Sequence, residues 1–252
     1  MFYEYKKDFD TCYTSIDRSG KLGLVESMDI NQDMITEFFG SVGSDNRILR
    51  KNNNAAWIYT RTKMHIEELP FWNTKTHART FVSAKSPIRL ELETQLCDDR
   101  AKLLFVAKTE MCAIDFVQRK IKKISELTFP ADLETGESLI SEAFSKLKAE
   151  FTDDERVLSE KVYASDTDFT HHTNNTRYVK YLMNTFDSAF YDTKTITDFE
   201  IQFAKESTEG AVLDIFKKES EDKIFDFQIR SGSDVIAKAL MKYSDEARTW
   251  QE

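Results

Sequence analysis

The hydrophobic and polar positions in the first half of the chain predict one helix followed by a series of strands. Apolar residues recur at helical spacing from about residue 24 to residue 42. Strand-like runs follow, at residues 56–69, 76–83, 88–96, 102–110 and 113–121. This order is typical of a long helix packed on an antiparallel sheet.

The second half of the chain repeats this order. A strand is predicted at residues 157–163, and an amphipathic helix follows it. The apolar residues on one face of this helix are Tyr178, Val179, Leu182, Met183, Phe186 and Phe190. The strands predicted after the helix lie at residues 198–205, 211–218, 224–230 and 235–243.

A highly charged segment separates the two halves. Within it, residues 138–151 place several apolar side chains at helical spacing, which predicts a short helix. We therefore divide the chain into an N-terminal domain at residues 1–128, a connector at 129–155 and a C-terminal domain at 156–252.

An internal duplication explains why the halves are alike. Aligning Asp17 with Asp168 brings both helix starts into register, and residues 66–72 are then matched with residues 201–207. Two such copies can pair their sheets edge to edge, with both helices on one side of a continuous sheet. The predicted fold class is α+β, and clefts between the copies are natural sites for an elongated apolar ligand.

Composition narrows the range of partners. The net charge of −9 argues against nucleic-acid binding, because neutralising phosphates requires a surplus of Lys and Arg. No apolar run approaches the roughly 20 residues that span a bilayer, so we expect no membrane partner. Cys12, Cys97 and Cys112 lack metal-like spacing, which predicts reduced thiols, no metal site and a cytoplasmic protein.

The most unusual segment is Asp168–Asn175, which reads Asp-Phe-Thr-His-His-Thr-Asn-Asn. It lies where a predicted strand ends and a predicted helix begins, near the free N–H groups of the first helical turn. Helix capping explains some of its Asp, Thr and Asn residues. Capping requires neither His172 nor the doubled Asn, so the segment is a candidate functional site.

This segment resembles the hotdog thioesterase signature in the form used by plant and bacterial acyl-acyl carrier protein (acyl-ACP) thioesterases. The matching residues are Ser165, Asp166, Asp168, His172, Asn174, Asn175 and Tyr178. A second block, with Trp57, Arg61, Pro70 and Trp72, is similar to that family, and residues 201–207 resemble its Glu-Cys strand. The resemblance spans essentially the whole chain. It implies two tandem hotdog domains and hydrolysis of fatty acyl-ACP, the step that ends chain elongation in fatty acid biosynthesis.

The same resemblance implies catalytic positions for Asp168, His172 and Glu206. Thr170 stands where the family usually has Asn, and Ser207 where it often has Cys; both stay in the predicted catalytic set. A serine at position 207 argues against a mechanism that requires a cysteine acyl-enzyme. We therefore favour direct attack by water, with Glu206 as general base, and this chemistry needs no cofactor.

The duplication predicts one active site per chain. In the alignment, Lys21 corresponds to His172 and Phe71 to Glu206, so the N-terminal copy lacks the catalytic residues. We expect the N-terminal domain to shape the acyl pocket instead.

The implied partner is acyl carrier protein bearing a fatty acyl chain. The predicted substrate-binding residues are Asn174, Asn175 and Trp72. An acidic carrier would be attracted by a basic patch, either Arg119, Lys120, Lys122 and Lys123 or the group Arg47, Arg50 and Lys51. A second copy of the chain, forming a homodimer, is a further candidate partner.

Two other functions are compatible with the signature. One is hydrolysis of acyl-coenzyme A, which uses the same chemistry and is separated from acyl-ACP hydrolysis by carrier docking. The other is a non-catalytic acyl-binding hotdog protein, which needs neither Glu206 nor His172. A hotdog dehydratase lacks support, because no separate hydratase motif is present.

Overall fold

The computed structural model describes residues 1–245, so residues 246–252 of the predicted C-terminal domain lie outside the described residues. Its helices are α1 (Leu24–Ser41), α2 (Asn46–Asn53), α3 (Asn175–Met183) and α4 (Ser188–Thr193). Within the described range, no helix is long and apolar enough to cross a membrane.

In each half one strand precedes the two helices and the other strands follow them. In the first half they are β1 (Glu4–Asp10), β2 (Ala55–Ile66), β3 (Lys75–Lys85), β4 (Leu90–Asp98), β5 (Leu103–Asp115) and β6 (Ile121–Lys122). In the second half they are β7 (Arg156–Lys161), β8 (Thr195–Phe203), β9 (Val212–Glu221), β10 (Ile224–Ser231) and β11 (Asp234–Ser244).

These strands form one 11-stranded sheet in the order β1-β3-β4-β5-β2-β8-β11-β10-β9-β7, with β6 paired to β5. Each half contributes the same sequence of strands from the edge of the sheet to its centre. The halves join where β2 pairs antiparallel with β8, with Arg61 opposite Gln202 and His65 opposite Asp198. This edge-to-edge junction confirms the predicted α+β fold of two similar copies.

Helices α1 and α3 pack on this sheet and contact each other. The buried residues of α1 recur every three or four positions, as the helical period requires for one core-facing side, and include Met28, Ile35 and Phe38. In α3, Tyr178, Val179 and Leu182 are buried in the same way. The apolar core therefore lies between the two helices and one face of the sheet.

The connector is extended, and the predicted helix at residues 138–151 is wrong. Its backbone groups bond to charged side chains of the sheet instead of to one another. Glu93 accepts hydrogen bonds from the N–H groups of Leu139 (2.6 Å) and Ile140 (3.3 Å), and Glu200 accepts one from the N–H of Ser145 (2.6 Å). Buried carboxylates that satisfy backbone donors along the chain remove the need for a helix.

The connector crosses the sheet on the face away from α1 and α3. Neighbouring residues of a strand point to opposite faces. Leu92 and Ile201 lie in the helix-side core, so Glu93 and Glu200 point to the other face. At its start the connector passes under two aromatic rings at Gly136, where a Cβ would come within 2.7 Å of the Phe81 ring.

Two other predictions needed correction. Strand β5 is continuous through the gap predicted between residues 110 and 113, because every residue from Leu104 to Asp115 is buried and no turn is formed. The helix predicted to run through Phe190 is divided in two: α3 ends at Met183, and α4 begins after Asp187. The Asp187 carboxylate accepts a hydrogen bond from the N–H of Phe190 at 3.0 Å. Strand β1 and helix α2 were not predicted.

Candidate active site

The predicted polar segment forms a tight turn between β7 and α3. The backbone N–H of Asp168 donates to the carbonyl of His172 at 2.9 Å, and the N–H of His171 donates to the carbonyl of Asp168 at 3.0 Å. His171 has a left-handed backbone conformation (φ 67°) and an exposed side chain. The turn therefore places Asp168, Thr170 and His172 on its inner side.

A hydrogen-bonded relay joins these three side chains. Asp168 Oδ1 accepts from the N–H of Thr170 at 2.7 Å and from its hydroxyl at 2.6 Å. Thr170 Oγ1 lies 3.0 Å from His172 Nδ1. A hydroxyl has a single proton, and here Asp168 accepts it, so Oγ1 accepts from Nδ1–H. The relay therefore fixes the orientation of the imidazole ring and leaves Nε2 free to face the next segment.

Glu206 faces that nitrogen from the segment after β8. Its Oε2 lies 3.4 Å from His172 Nε2, and the two side chains are 39% and 29% exposed. The close approach of the segments depends on backbone hydrogen bonding, since the N–H of Thr173 donates to the carbonyl of Ser207 at 2.8 Å. The structure thus brings together four predicted residues, which we call the C-terminal cluster: Asp168, Thr170, His172 and Glu206.

A fifth side chain enters this cluster from the other half of the molecule. Arg119, in the turn between β5 and β6, hydrogen-bonds through Nη2 to Glu206 Oε2. The sequence indicated Arg119 only as part of a basic patch. Together with Arg119, the cluster therefore brings two carboxylates, one hydroxyl, one imidazole and one guanidinium to the boundary of the two halves.

Ser207, also predicted to be catalytic, lies in a buried network next to the cluster. Its hydroxyl is 2.7 Å from Thr173 Oγ1 and 2.9 Å from the hydroxyl of Tyr178, which also accepts from the Ser207 N–H at 3.1 Å. Burial raises the pKa of Tyr178, which keeps this hydroxyl protonated. These contacts hold the segment that carries Glu206 against α3.

Asn174 and Asn175 mark the start of α3. Asn174 is the N-cap residue, and its Oδ1 accepts from the N–H of Thr176 at 3.1 Å. The same oxygen accepts from Gln32 Nε2 of α1, also at 3.1 Å. Asn174 therefore links the helices of the two halves beside the C-terminal cluster, a link through Gln32 that the sequence did not reveal.

Trp72 lies in the N-terminal half. Its N–H donates to the carbonyl of Gly20 at 3.0 Å, and its half-exposed ring packs edge-on against Tyr13, with 5.9 Å between ring centroids. The structure therefore places Trp72 beside Gly20 and Tyr13 of the N-terminal copy and does not bring it together with the C-terminal cluster.

The N-terminal copy contains the same turn. The N–H of Asp17 donates to the carbonyl of Lys21 at 2.8 Å, and Asp17 Oδ1 accepts from the N–H of Ser19 at 2.7 Å. Gly20, with φ 74°, takes the place of His171. The alignment of Asp17 with Asp168 is therefore correct, and Lys21 stands where the second copy has His172.

The strand alignment of the two copies requires a shift of two residues. The N–H of Leu22 donates to the carbonyl of Pro70 at 2.8 Å, as the N–H of Thr173 does to that of Ser207. Pro70 therefore matches Ser207, and buried Leu69, not Phe71, matches Glu206. The four residues of this copy, which we call the N-terminal cluster, are Asp17, Ser19, Lys21 and Leu69.

Comparison with known proteins places both halves in one family. The model of the acyl-ACP thioesterase N-terminal domain matches residues 3–129, and that of the acyl-ACP thioesterase C-terminal domain matches residues 149–245. A search of curated proteins gives no match.

Three solved structures share the fold. An acyl-ACP thioesterase from Bacteroides thetaiotaomicron has a TM-score of 0.88 at 21% identity, over 96% of this chain and 98% of that one. A putative oleoyl thioesterase from Lactobacillus plantarum has a TM-score of 0.87 at 17% identity, over 97% of each chain. The 12:0-ACP thioesterase from Umbellularia californica has a TM-score of 0.79 at 14% identity, over 96% of this chain and 94% of that one.

Proposed function

Because this chain belongs to the acyl-ACP thioesterase family, we propose that the C-terminal cluster is the centre at which it cleaves its substrate. The chain is a thioester hydrolase that converts fatty acyl-ACP to free fatty acid and carrier protein. The observation that carries the assignment is the meeting of two elements distant in sequence: the relay that orients His172 and the segment that holds Glu206 Oε2 3.4 Å from His172 Nε2.

In the proposed mechanism, a water molecule attacks the thioester carbonyl carbon. Glu206 removes a proton from this water as the new C–O bond forms, and the carbonyl becomes a tetrahedral oxyanion. Collapse of the intermediate breaks the C–S bond, and the proton passes to the departing thiolate of the carrier. His172, oriented by Thr170 and Asp168, holds the water and assists both proton transfers through Nε2.

The start of α3 supports the oxyanion in this mechanism. The N–H of Thr176 is bonded to the Asn174 side chain, and that of Arg177 to the Asn174 carbonyl at 2.9 Å. The remaining first-turn donor is the N–H of Asn175, at the positive end of the helix dipole. We assign oxyanion binding to this N–H, and substrate positioning to Asn174 through its cap.

The roles of Thr170 and Ser207 follow from their contacts. Thr170 transmits the orientation of Asp168 to His172, a function that needs only its hydroxyl. Ser207 is bonded to Thr173 and Tyr178 and is buried, so we assign it a positioning role for Glu206 and no nucleophilic role. Trp72, half-exposed beside Tyr13, is left out of the proposed site.

We assign acyl-chain binding to the N-terminal domain, within the boundaries 1–128, 129–155 and 156–252 given above. The support is that α1 reaches the site through Gln32 and then runs over an apolar cluster rich in rings, including Phe38, Phe39 and Trp57. The N-terminal copy lacks counterparts of the His172 imidazole and the Glu206 carboxylate, so one catalytic site per chain is proposed.

A place in fatty acid biosynthesis, in the cytoplasm of a bacterium, completes the proposal. It is supported by the acyl-ACP substrate class of the family. The homodimer stays a prediction, which light scattering of the purified protein tests.

Steady-state hydrolysis tests the assignment. Acyl-ACPs from short to long chains are compared with the matching coenzyme A esters, using wild type, His172→Ala and Glu206→Ala. We expect a loss of kcat in both variants on every substrate and a lower KM for the carrier than for coenzyme A esters. Wild-type kcat in both variants would contradict the site, and equal KM values for the two substrate classes would favour the acyl-coenzyme A alternative.

A further inference from the structure

The guanidinium of Arg119 is the one feature of the cluster that the proposed mechanism leaves unused. Arg119 belongs to the N-terminal half, yet its Nη2 bonds to Glu206 in the C-terminal half. Its side chain is 50% exposed, so the contact lies at the mouth of the cluster and not in the core. Arg119 therefore reaches the cluster through its contact with Glu206.

The turn that carries Arg119 is firmly built. Asp115, the last residue of β5, accepts hydrogen bonds from the N–H groups of Val117 (2.9 Å) and Gln118 (2.8 Å). The carbonyl of Asp115 accepts from the N–H of Arg119 at 2.9 Å, which leaves Arg119 in a left-handed conformation with φ 55°. These bonds fix where the Arg119 side chain starts, so less freedom is lost when it contacts Glu206.

The contact divides the two oxygens of Glu206 into different environments. Arg119 and His172 both approach Oε2, and the described part of the chain gives Oε1 no hydrogen-bond partner. A guanidinium keeps its charge and binds a carboxylate oxygen directionally. With Oε2 held in this way, Oε1 is the oxygen that remains available to a water molecule.

We propose that Arg119 is a positioning residue for hydrolysis: supplied by the N-terminal half, it clamps Glu206 Oε2 so that Oε1 takes the proton of the attacking water. This inference rests on the proposed role of Glu206. It also gives the N-terminal half a direct part in the chemistry of the C-terminal cluster.

The test uses Arg119→Gly, because glycine tolerates the left-handed backbone and the turn is expected to fold without strain. The substrates are an acyl-ACP and a carrier-free acyl-pantetheine with the same acyl chain. A positioning role predicts a fall in kcat of roughly 10- to 100-fold on both substrates, with little change in KM for acyl-pantetheine. Arg119→Lys, which keeps the charge but not the planar fork, is expected to fall between wild type and Arg119→Gly.

Two further measurements separate positioning from a general loss of charge. Guanidinium ion, added to Arg119→Gly at concentrations that leave wild type unaffected, should restore part of kcat, and urea at the same concentration should not. Arg89→Ala is the matched control, because Arg89 is also half-exposed and bonds to a carboxylate, Glu110, at 3.0 Å in the same half. It should retain wild-type kcat.

The outcomes distinguish this inference from the proposed function. If Arg119→Gly changes only KM for acyl-ACP, Arg119 belongs to a carrier-docking surface and the positioning role is overturned. If Glu206→Ala abolishes activity but Arg119→Gly has wild-type kcat on both substrates, the inference fails and the proposed function stands. If Glu206→Ala is itself fully active, both fail. Because Arg119 acts through Glu206, the variant that combines Arg119→Gly with Glu206→Ala should be no slower than Glu206→Ala alone.

Discussion

The turns of the two clusters have the same backbone and different chemistry. In each turn, an aspartate accepts a hydrogen bond from the N–H two residues later, and a residue with a left-handed backbone follows. The turn then donates a backbone N–H to the equivalent carbonyl of a later segment, that of Pro70 in one copy and that of Ser207 in the other. Ser19 and Thr170 both supply a hydroxyl, so the side chains whose chemistry differs are Lys21 against His172 and Leu69 against Glu206. The scaffold alone therefore does not define the proposed activity; these two differences separate the copy that carries the proposed site from the copy that does not.

The comparison also explains why the N-terminal copy keeps its turn. Lys21 is largely buried, lies 3.6 Å from Glu68 and stacks over the Phe71 ring at 4.6 Å from its centroid. These contacts replace the relay and the carboxylate with an ion pair and a cation–π contact. The turn thus retains a structural use, and it closes the start of α1 as its counterpart closes the start of α3.

The largest effect is expected when the imidazole is removed. His172→Ala should lower kcat by about 100- to 10,000-fold, the usual contribution of a residue that takes part in proton transfer. Lys21→Ala, at the matching position of the other copy, should keep wild-type kcat. Comparable losses in the two variants, measured on one acyl-ACP, would mean that the copies are not chemically distinct.

A smaller effect, on stability, is expected from the hydrogen-bond network around Ser207, the residue of the C-terminal copy that matches Pro70. Tyr178→Phe removes the hydroxyl that accepts from the Ser207 N–H and contacts the Ser207 hydroxyl. Leaving the buried Ser207 N–H without this partner should cost about 1–3 kcal/mol in the free energy of unfolding. Urea denaturation measures this, and Tyr163→Phe, at an exposed tyrosine, provides the control.

The same tyrosine predicts a pH dependence. The pKa of Tyr178 is raised above its usual value of 10.0 in the folded state by burial, so the unfolded chain releases this proton at a lower pH than the native protein does. The stability conferred by the protonated hydroxyl is complete below pH 10.0 and is lost as the pH rises through the folded-state pKa. Tyr178→Phe should lose less stability than wild type above this pH in urea titrations. An unchanged loss in the variant would assign it to other tyrosines.

A change of about tenfold in kcat is expected at the middle of the relay. Thr170→Ala removes the hydroxyl that connects Asp168 to His172, while Thr170→Ser retains it. We expect the alanine variant to lose about tenfold in kcat, about 1.4 kcal/mol of transition-state stabilisation, and the serine variant to stay near wild type. Ser19→Ala, which breaks the matching hydrogen bond in the N-terminal copy, should have no effect on kcat.

The sequence was sufficient for the repeat and for most of the candidate site. Helix starts are encoded locally by the turn residues around Asp17 and Asp168, so their alignment survived. The strand alignment was off by two residues because apolar alternation has a period of two and matches itself again at that shift. Only the backbone bonds to Pro70 and Ser207 reveal the register.

Contacts between the halves could not be predicted in the same way. Arg119 meets Glu206, and Gln32 meets Asn174, across separations of 87 and 142 residues. No local period connects such positions, and each residue on its own is typical of an exposed surface. The helix predicted in the connector was wrong for a related reason. Its apolar spacing suggested a helix, but its backbone N–H groups bond to Glu93 and Glu200 of the sheet.

The smallest predicted effect concerns the left-handed position of the turn, which suits the glycine of the N-terminal copy better than the histidine of the C-terminal copy. His171 adopts φ 67° where the N-terminal copy has Gly20 at φ 74°, and its side chain is exposed. Glycine adopts this conformation without the steric cost that histidine bears, although it adds entropy to the unfolded chain, so the two effects oppose each other. His171→Gly should therefore change the free energy of unfolding by about 0.5 kcal/mol or less, whereas Gly20→Ala should destabilise by about 1 kcal/mol. Denaturant unfolding measures both, and kcat of His171→Gly should match wild type. A large loss of activity there would show that the second histidine of the active copy contributes more than the left-handed turn it occupies.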